Sequence, residues 1–382
     1  MKTLSWFFNL LFVFIINAFV LSCGTSGTGL IGSITQPNPA YRGPIIDLSK
    51  EAKANLPYRS LDTSQELTTI GFGSCSDQNL PQPVWDVVLN NNPDLFLMMG
   101  DNIYASKQED RPFIDQYIKL NNNTSYRKLR ESIPFLATWD DHDFGQNDGG
   151  FDNPDKEDAR RSFLNYWGYL KQTLPKNQKA IYHSRLIGTK NRQIHFILLD
   201  TRWDRTALLE NTNITDLVNT TPKLYTAQTD PKQKMLSEEQ WLWLEEELKK
   251  PARFKIIVSS IQVIANDHGF EKWGNFPTEK ERLFNLLKKT KSSKVLFLSG
   301  DRHLASLAKT EIKDLGLIYD LTASSLNKPS KMITAELDAS YVTETFHEPN
   351  FGLLKFNWEQ KKLEIEIRDL NNEVKISHTL LL

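Results

Sequence analysis

Residues 95–104, LFLMMGDNIY, join five consecutive apolar residues to a polar turn that begins with glycine. An apolar run of this length, ended abruptly by polar residues, is typical of a strand that is buried on both faces of a sheet. Three further runs have the same form, at residues 194–199, 255–258 and 295–298. The pattern therefore predicts several buried strands, each followed by a short polar segment.

Helical patterns lie between these runs, at residues 84–89, 157–170 and 237–250. In the last of them Ser237 is a predicted N-cap with Gln240 three residues later, which is the spacing of a capping box. Glutamates occupy its first turn and lysines its last, as the helix dipole favours. Strands that alternate with helices indicate an α/β sheet.

The C-terminal residues follow a different pattern. Residues 353–358, 363–367 and 374–377 alternate apolar and polar side chains and are separated by short polar turns. Such alternation predicts an antiparallel meander. Together the two patterns predict an α/β fold of mixed sheets with helices outside.

The composition limits the classes of protein that this chain can represent. It has 382 residues, of which 40% are hydrophobic, and a formal net charge of −1. That is enough apolar material for a full core, so we expect one large globular domain. The sequence has neither a basic surplus nor a basic stripe, which argues against nucleic-acid binding.

The N-terminus has the features of an export signal. Lys2 precedes an apolar run over residues 4–21, and Cys23 follows shortly after it. This ending resembles a bacterial lipobox, so we interpret residues 1–23 as a lipoprotein signal peptide with Cys23 as the lipidated residue. A single transmembrane anchor, or a signal peptide with a chance cysteine, remains open. In each case the rest of the chain is expected outside the cytoplasm, as a membrane-anchored periplasmic or cell-surface protein.

The remaining chain divides into two parts. Residues 24–29 are rich in glycine, serine and threonine, and the prolines up to residue 57 stand in a stretch with little periodicity. We interpret residues 24–66 as a flexible tether and lead-in. Residues 67–382 are predicted to form the catalytic domain.

Unusual polar residues are concentrated where the predicted strands stop. In α/β sheets ligands bind beyond the carboxyl ends of the strands, where loops collect side chains from many parts of the chain. The polar clusters are GSCS at residues 73–76, GDNIY at residues 100–104, WDDHD at residues 139–143 followed by Asn147 and Asp148, DTR at residues 200–202, and GDRH at residues 300–303.

In this order the clusters resemble the alkaline phosphatase D family of the calcineurin-like metallophosphoesterase superfamily. The resemblance covers residues 67–326 and includes GFEKWG at residues 269–274. The superfamily pattern generally opens with Asp-x-His and closes with Gly-His-x-His, whereas here Cys75 replaces the opening ligand and Asp301 precedes His303 at the close. The resemblance implies an α/β/β/α sandwich of two mixed sheets with flanking helices. It also implies a binuclear or multinuclear metal centre, with iron and calcium as the expected combination.

The first two clusters contain ligands suited to a metal ion. Asp101 follows a buried strand directly, and a carboxylate there can bridge two cations. Tyr104 is three residues away, and since a free phenol has a pKa of about 10, a phenolate ligand requires a highly charged ion such as ferric iron. The thiolate of Cys75 suits the same kind of metal. Without a metal, Asp101 would be a helix cap and the other two side chains ordinary core residues.

The third cluster is the densest, because it places three carboxylates within four residues. Such charges repel one another unless a cation compensates them, and His142 among them is expected to stay protonated. By position in the superfamily, Asp141 is the expected metal ligand and His142 the group that protonates the leaving oxygen. Asn147 is a further candidate ligand or phosphate contact. A plain solvated acidic loop is the alternative, since an EF-hand would need glycine where Gln146 stands.

The last two clusters supply the remaining candidates. Arg202 follows a strand end, where its guanidinium could hold phosphate oxygens in a bidentate manner, and a salt bridge to a neighbouring carboxylate is the alternative interpretation. Asp301 and His303 flank Arg302. On an extended segment they would point the same way, with Asp301 as a metal ligand and His303 as a ligand or transition-state contact.

These residues predict hydrolysis of phosphate esters by metal-activated water, with His142 as the acid for the leaving group. The substrate is thus a phosphate ester, and we expect the enzyme to be a monomer. A phospholipase-type phosphodiesterase that acts on membrane lipids is an alternative, because a lipid anchor would bring lipid phosphate close. The other alternative is a surface lipoprotein that keeps the metal site for binding alone, although such a protein has no need of His142.

Overall fold

The structure is a computed structural model that describes residues 58–213, 215–218, 221–330 and 336–382. The predicted signal peptide, the lipobox cysteine and residues 24–57 of the predicted lead-in lie outside the described residues. Among the helices of the described part, none has the length and apolarity that a membrane crossing requires.

Twelve strands of the described part belong to two large sheets, and four short ones form two small ribbons. In chain order they are β1 (Thr69–Gly73), β2 (Leu95–Met99), β3 (Phe135–Thr138), β4 (His183–Ile187), β5 (Ile194–Leu198), β6 (Leu209–Glu210), β7 (Leu217–Val218), β8 (Thr221–Pro222), β9 (Tyr225–Thr226), β10 (Phe254–Val258), β11 (Val295–Ser299), β12 (Ala305–Ile312), β13 (Gly316–Ala323), β14 (Asn350–Asn357), β15 (Lys362–Asp369) and β16 (Val374–Leu381).

Eight α-helices of the described part accompany them. They are α1 (Val84–Asn90), α2 (Phe113–Asn121), α3 (Thr124–Ser132), α4 (Asp141–Phe144), α5 (Lys156–Tyr166), α6 (Gly168–Thr173), α7 (Glu238–Lys249) and α8 (Pro277–Lys289). Two 3₁₀-helices, Gln108–Asp110 and Trp273–Asn275, complete the regular structure.

Both large sheets are six-stranded and mixed. The first has the order β16-β15-β14-β1-β2-β3, and the second has the order β12-β13-β11-β10-β5-β4. In the first, β1, β2 and β3 are parallel and the C-terminal meander joins β1 antiparallel through β14. In the second, β5, β10, β11 and β13 are parallel, with β4 and β12 antiparallel at the edges. The predicted mixed sheets are confirmed.

The alternation of side chains along each buried strand explains the layers. Phe96 and Met98 of β2 pack in a core with α1 and α2, whereas Leu97 belongs to the core between the two sheets. In the second sheet Ile257 faces the α7 and α8 side, and its neighbour Val258 faces the first sheet. Successive strand residues point to opposite faces, so each strand serves two cores. Each fully buried aliphatic or aromatic side chain stabilises the fold by about 1.5–3 kcal/mol.

The order of layers is therefore helix, sheet, sheet, helix, as the resemblance implied. The pattern at residues 157–170 differs in detail, because two helices form there instead of one. Trp167 ends α5 with φ −92° and ψ 62°, a backbone conformation outside the helical region, and α6 starts at the next residue.

Ser237 caps α7 as predicted, and its hydroxyl accepts a hydrogen bond from the Gln240 backbone N–H at 3.3 Å. The Gln240 side chain does not close a capping box. It is buried, and it accepts from Asp200 N at 2.9 Å and donates to Asp200 O at 2.9 Å. Gln240 thus connects the start of α7 to the polar segment after β5.

The carboxyl ends of the central strands meet at one edge of the sandwich. Thr138, at the end of β3, donates from Oγ1 to the Leu199 carbonyl beyond β5 at 2.8 Å, which joins the two sheets directly. Ser74 and Ser324 form an isolated parallel bridge between the segments that follow β1 and β13. The polar clusters of both sheets consequently face a common space.

Replacement of Ser237 by alanine tests the cap. We expect Ser237→Ala to lower the free energy of unfolding by about 1 kcal/mol, because the first turn of α7 loses a hydrogen-bond acceptor. Urea denaturation followed by circular dichroism measures this change. Ser237→Asp, which can also cap, should retain the stability, and an unchanged midpoint for Ser237→Ala would show that the cap contributes nothing.

Candidate metal centre

The backbone at the strand ends has an uncommon conformation. Ten non-glycine residues of the described part have positive φ, and half of them lie in one polar cluster: Cys75 (59°), Asp101 (49°), Asp148 (50°), Asp301 (69°) and His303 (54°). Positive φ costs energy for residues that carry a Cβ and persists where the surroundings hold it, which is common at functional sites. The concentration of such residues here marks this edge of the sandwich as the candidate site.

Gly100 allows the loops to approach one another. Its φ is 108°, and a Cβ there would lie 2.5 Å from the Asp140 Cβ and 3.2 Å from the Ser260 Cβ. A larger residue would therefore push apart the segments that carry Asp101 and Asp140.

Within the described residues, side chains form four groups that could each hold a metal ion, and in each group the ligand atoms lie within 4.8 Å of one another. These groups are Cys75, Asp101 and His303; Asp101, Asp141 and His142; Asp140, Asp141 and Asp301; and Asp148, Glu271 and Asp301. Asp101, Asp141 and Asp301 each belong to two of them, so the groups form one continuous cluster.

The first group is centred on Asp101. Its Oδ2 accepts from the Tyr104 hydroxyl at 3.1 Å and from the Cys75 thiol at 3.4 Å. The Tyr104 hydroxyl also lies 3.0 Å from His303 Nε2. Four of the residues singled out from the sequence are thus brought into direct contact.

The second group contains Asp141 and His142, at the start of α4. Asp141 Oδ2 accepts from the Asp148 backbone N–H at 2.8 Å. His142 Nδ1 lies 2.6 Å from Ser106 Oγ, and its ring centroid is 4.1 Å from that of Tyr104. The imidazole is therefore held on one nitrogen by a hydroxyl and on one face by an aromatic ring.

The remaining carboxylate of the acidic run has a different task. Asp143 accepts from the Asn102 backbone N–H at 3.0 Å, from the Asp140 backbone N–H at 3.1 Å and from the Tyr117 hydroxyl at 2.8 Å. It belongs to none of the four groups. Asp143 connects the loop after β2 to the loop after β3.

Arg202 is completely buried and paired with carboxylates. Its Nε donates to Asp140 Oδ1 at 2.6 Å, and its Nη1 lies 2.7 Å from Glu271 Oε2. The sequence left two roles open, a bidentate phosphate contact and a salt bridge, and the geometry is that of the salt bridge. In this structure the guanidinium has no exposed surface and its charged partners are carboxylates, and the phosphate contact stays a prediction.

The sequence interpretation of residues 301–303 also needs correction. It placed Asp301 and His303 on an extended segment, yet both have left-handed backbones, with φ of 69° and 54°. The turn sends their side chains to different groups, His303 towards Cys75 and Asp301 towards Asp141.

Asn147 lies at the margin of the cluster. It is exposed, and its amide donates to Asp148 Oδ2 at 2.9 Å. The neighbouring Asp148 contributes to the fourth group, together with Glu271. The sequence did not single out Asp148 and Glu271 as ligands. Asp148 directly follows Asn147 and could have been included, whereas Glu271 lies in a loop without periodicity and had no local signal.

Burial has a strong effect on the acidic groups. Burial and the charge of neighbouring Asp141 raise the pKa of Asp101 well above its ordinary value. Burial raises the pKa of Asp140 to about 7, although the Arg202 charge opposes the rise. For Asp141, burial is outweighed by His142 and Arg202, which hold its pKa below the ordinary range. A bound cation would stabilise the ionised form of such buried, mutually repelling carboxylates.

Unsatisfied oxygens support a metal at this place. Asp140 Oδ2 and Asp141 Oδ1 are buried and have no hydrogen-bond partner. Buried polar atoms nearly always have a partner, so two such oxygens in one cluster fit metal ligation. The donor set of carboxylates, imidazole, thiol and phenol fits more than one ion, and burial keeps the pKa of the Tyr104 phenol well above its ordinary value unless a cation is bound.

The protonation of His142 differs from expectation. The sequence predicted that nearby carboxylates keep it protonated, but burial lowers its pKa, and the attraction of Asp141 does not offset this. Desolvation of the imidazolium is the larger effect here.

Comparisons with known proteins bear on the family of this chain and on its fold. The model of the PhoD-like phosphatase family matches residues 70–379. A solved structure of PhoD is similar over 85% of this chain and 70% of its own, with 15% identity and a TM-score of 0.64. No curated protein gives a significant match.

Two further solved structures share the fold. A dimetal phosphatase from Danio rerio is similar over 83% of this chain and 99% of its own, with 14% identity and a TM-score of 0.53. A purple acid phosphatase from yellow lupin (Lupinus luteus) seeds is similar over 84% of this chain and 55% of its own, with 13% identity and a TM-score of 0.51.

The raised pKa values predict how the metal-free protein responds to pH. Folded Asp101, Asp140, Asp148 and Asp301 hold protons that the unfolded chain releases near pH 4, since their pKa values are raised. The free energy of unfolding contributed by these groups therefore falls as pH rises above about 4. The window from about pH 6.5 to about 7.5 shows this fall most clearly, because histidines contribute little there. Histidines whose pKa is lowered act in the opposite direction, but only below about pH 6.5, where the unfolded histidine binds a proton.

Thermal unfolding in excess chelator measures this trend. The midpoint should fall over this window, and the fall should be smaller in metal-loaded protein, because bound cations offset the same negative charge. Above this window Lys272 and Lys280, whose pKa values burial lowers to about 8, begin to oppose the trend. A midpoint that is constant or rises between about pH 6.5 and 7.5 without metal would contradict the assignment of buried, proton-sharing carboxylates.

Proposed function

The chain belongs to the PhoD-like phosphatase family and is thus a metal-dependent phosphoester hydrolase, and on that premise we propose that it hydrolyses phosphate esters outside the cytoplasm with His142 as leaving-group acid. The observation that carries this proposal is the continuous cluster of four groups, which contains His142 itself. Bound cations would supply an activated water and compensate the charge of the phosphate.

The proposed ligand set follows the contacts. Cys75, Asp101, Tyr104 and His303 contact one another and would hold one ion, with Asp101 shared with a second ion at Asp141. The carboxylate of Asp301 lies within 4.8 Å of those of Asp140 and Asp141, which supports a role for Asp301 at the second ion. Asn147 would be an additional ligand at the exposed margin of the cluster.

The proposed metals are iron with calcium. Thiolate and phenolate suit iron, and the carboxylates around Asp141 and Asp301 suit calcium.

His142 is suited to deliver a proton. Ser106 binds Nδ1, which leaves Nε2 for the leaving oxygen. His142 Nδ1–H can donate to the Ser106 hydroxyl both before and after the Nε2 proton leaves, so the imidazole keeps this contact throughout. His303 has its Nε2 bonded to Tyr104, so we assign it to the ion that Tyr104 binds.

Arg202 is proposed to act as a positioning residue. Its pairs with Asp140 and Glu271 bring these carboxylates beside Asp141 and Asp301. Removal of one partner from a buried pair leaves an uncompensated charge, which typically costs about 3–5 kcal/mol.

Export and anchoring complete the proposal. The lipobox at Cys23 and the tether after it would hold the domain of residues 67–382, as a monomer, at the outer side of a membrane. Phospholipid hydrolysis would suit that location, yet phosphate chemistry at the cluster is common to all phosphoesters, so the proposal is phosphoester hydrolysis in general.

Replacement of Tyr104 tests the iron proposal. A ferric phenolate absorbs visible light, so the metal-loaded protein should be coloured and Tyr104→Phe should lose the band, because phenylalanine has no ligand oxygen. Absorption spectroscopy with iron analysis measures this. Tyr126→Phe is a matched control, because the Tyr126 hydroxyl is buried, accepts from the Tyr166 hydroxyl at 3.1 Å and lies outside the four groups. A band that persists in Tyr104→Phe would remove Tyr104 from the ligand set.

Replacement of His142 tests the proposed chemistry. His142→Ala should lower kcat for an alkyl phosphate by about 10²–10⁴-fold, because the alkoxide needs a proton as it leaves. The loss on a p-nitrophenyl ester should be much smaller, because nitrophenolate leaves unprotonated. Steady-state kinetics on both esters measure the difference.

Two controls define the outcome. His378→Ala, on β16, should retain activity on both esters, and chelation of the wild type should abolish activity until metal is restored. Equal losses on the two esters would exclude His142 as the leaving-group acid. Absence of turnover on any ester by the metal-replete wild type would exclude the proposed hydrolysis.

A further inference from the structure

The arginines around the cluster are already occupied. Arg202 and Arg205 are fully buried and paired with Glu271, and Arg302 is 4% exposed and paired with Glu336. These guanidiniums compensate protein carboxylates. They are therefore not free to compensate a bound phosphate. Any phosphate charge that bound metal ions would leave uncompensated needs another cation.

Lys328 is a cation with a different placement. Its Nζ lies 3.5 Å from the centroid of the Tyr104 ring. That ring is 4.1 Å from the His142 ring, and its hydroxyl contacts both Asp101 and His303. The ammonium group thus borders the residues that we assign to the first ion and to proton delivery.

The ammonium is also held in place. Asp77 Oδ2 accepts from Lys328 Nζ at 2.9 Å, and Asp77 Oδ1 accepts from the Asn79 backbone N–H at 2.9 Å. Asn327 clamps the same segment, since its Oδ1 accepts from Asp77 N at 2.7 Å and its Nδ2 donates to Asp77 O at 2.8 Å. The position of the Lys328 side chain is thereby fixed relative to the segment that carries Cys75, because the Cys75 carbonyl accepts from Asn327 N at 3.4 Å.

Lys328 retains access to solvent. A third of its side chain, 33%, is exposed, whereas the Asp77 side chain that binds it is 10% exposed. An ammonium group has three donors, and Asp77 takes one of them. A fixed cation with free donors beside an acidic, buried cluster is suited to an anionic ligand that approaches from the open side.

We propose that Lys328 binds a nonbridging phosphate oxygen of the substrate and thereby favours phosphate monoesters over diesters. The inference rests on the proposed function and names the substrate class. A monoester carries close to two negative charges above pH 7, because its second pKa is about 6, whereas a diester carries one. A cation at this place consequently stabilises the bound monoester more, mainly through KM.

Variants at Lys328 separate this role from a structural one. Lys328→Met keeps the aliphatic length and removes the charge, and Lys328→Arg keeps the charge. The matched control is Lys375→Met, because Lys375 has a 28% exposed side chain, pairs with Asp369 at 3.0 Å and lies on β16, an edge strand of the first sheet.

The readouts are calorimetric binding of inorganic phosphate to the metal-loaded protein, and kinetics on p-nitrophenyl phosphate and methyl p-nitrophenyl phosphate. Lys328→Met should weaken phosphate binding by about tenfold, as expected for one lost charged hydrogen bond. Its kcat/KM should fall by about tenfold on the monoester and by no more than about threefold on the diester. Lys328→Arg should remain within about threefold of the wild type, and Lys375→Met should be unchanged.

The outcomes keep the two proposals apart. If the wild type hydrolyses esters but Lys328→Met binds phosphate as well as the wild type does, the inference about Lys328 is wrong and the proposed function stands. Equal losses on both esters, together with loss of metal, would assign Lys328 a purely structural role and also overturn the inference. If the wild type hydrolyses neither ester, the proposed function fails, and phosphate binding still decides whether Lys328 recognises the anion.

Discussion

Six carboxylates share one small, largely buried space, and this accumulation of negative charge is the constraint on which the structure depends. They are Asp101, Asp140, Asp141, Asp148, Glu271 and Asp301. Coulomb repulsion between like charges increases as water is excluded, so a cluster of this kind needs cations or protons to stay folded. Arg202 and Arg205 compensate only the part of it that contains Asp140 and Glu271. The unsatisfied oxygens of Asp140 and Asp141 are the part for which metal ions are the natural partners.

The fold concentrates the charge by bringing strand ends together. The loops after β2 and β3 are joined by Asp143, and the two sheets are joined by the hydrogen bond from Thr138 to Leu199. Left-handed backbones at Cys75, Asp101 and Asp301 turn the polypeptide sharply after β1, β2 and β11. The packing of the surrounding sheets holds these backbone conformations in place. The ligands therefore stay close together because the cores beneath them are rigid.

Part of this arrangement was predictable from the sequence, for identifiable reasons. β2 and β11 consist entirely of buried residues, and such continuous apolar runs are recognisable without a structure. β1 has two glycines in five residues and β3 has only four residues, so neither has a clear pattern.

At the site, the sequence identifies candidate residues that lie next to strand ends, because their position follows from the predicted strands. Glu271 was missed because its place depends on tertiary contacts with Arg202 and Arg205. The buried state of Arg202 and the lowered pKa of His142 likewise depend on how much water the fold excludes, which a sequence does not express. Anomalous X-ray scattering from crystals of the protein purified with its metals tests the central claim most directly. We expect at least two ions inside the four groups, with the Asp101 carboxylate in contact with two of them, and a map without ions among these carboxylates would contradict the account.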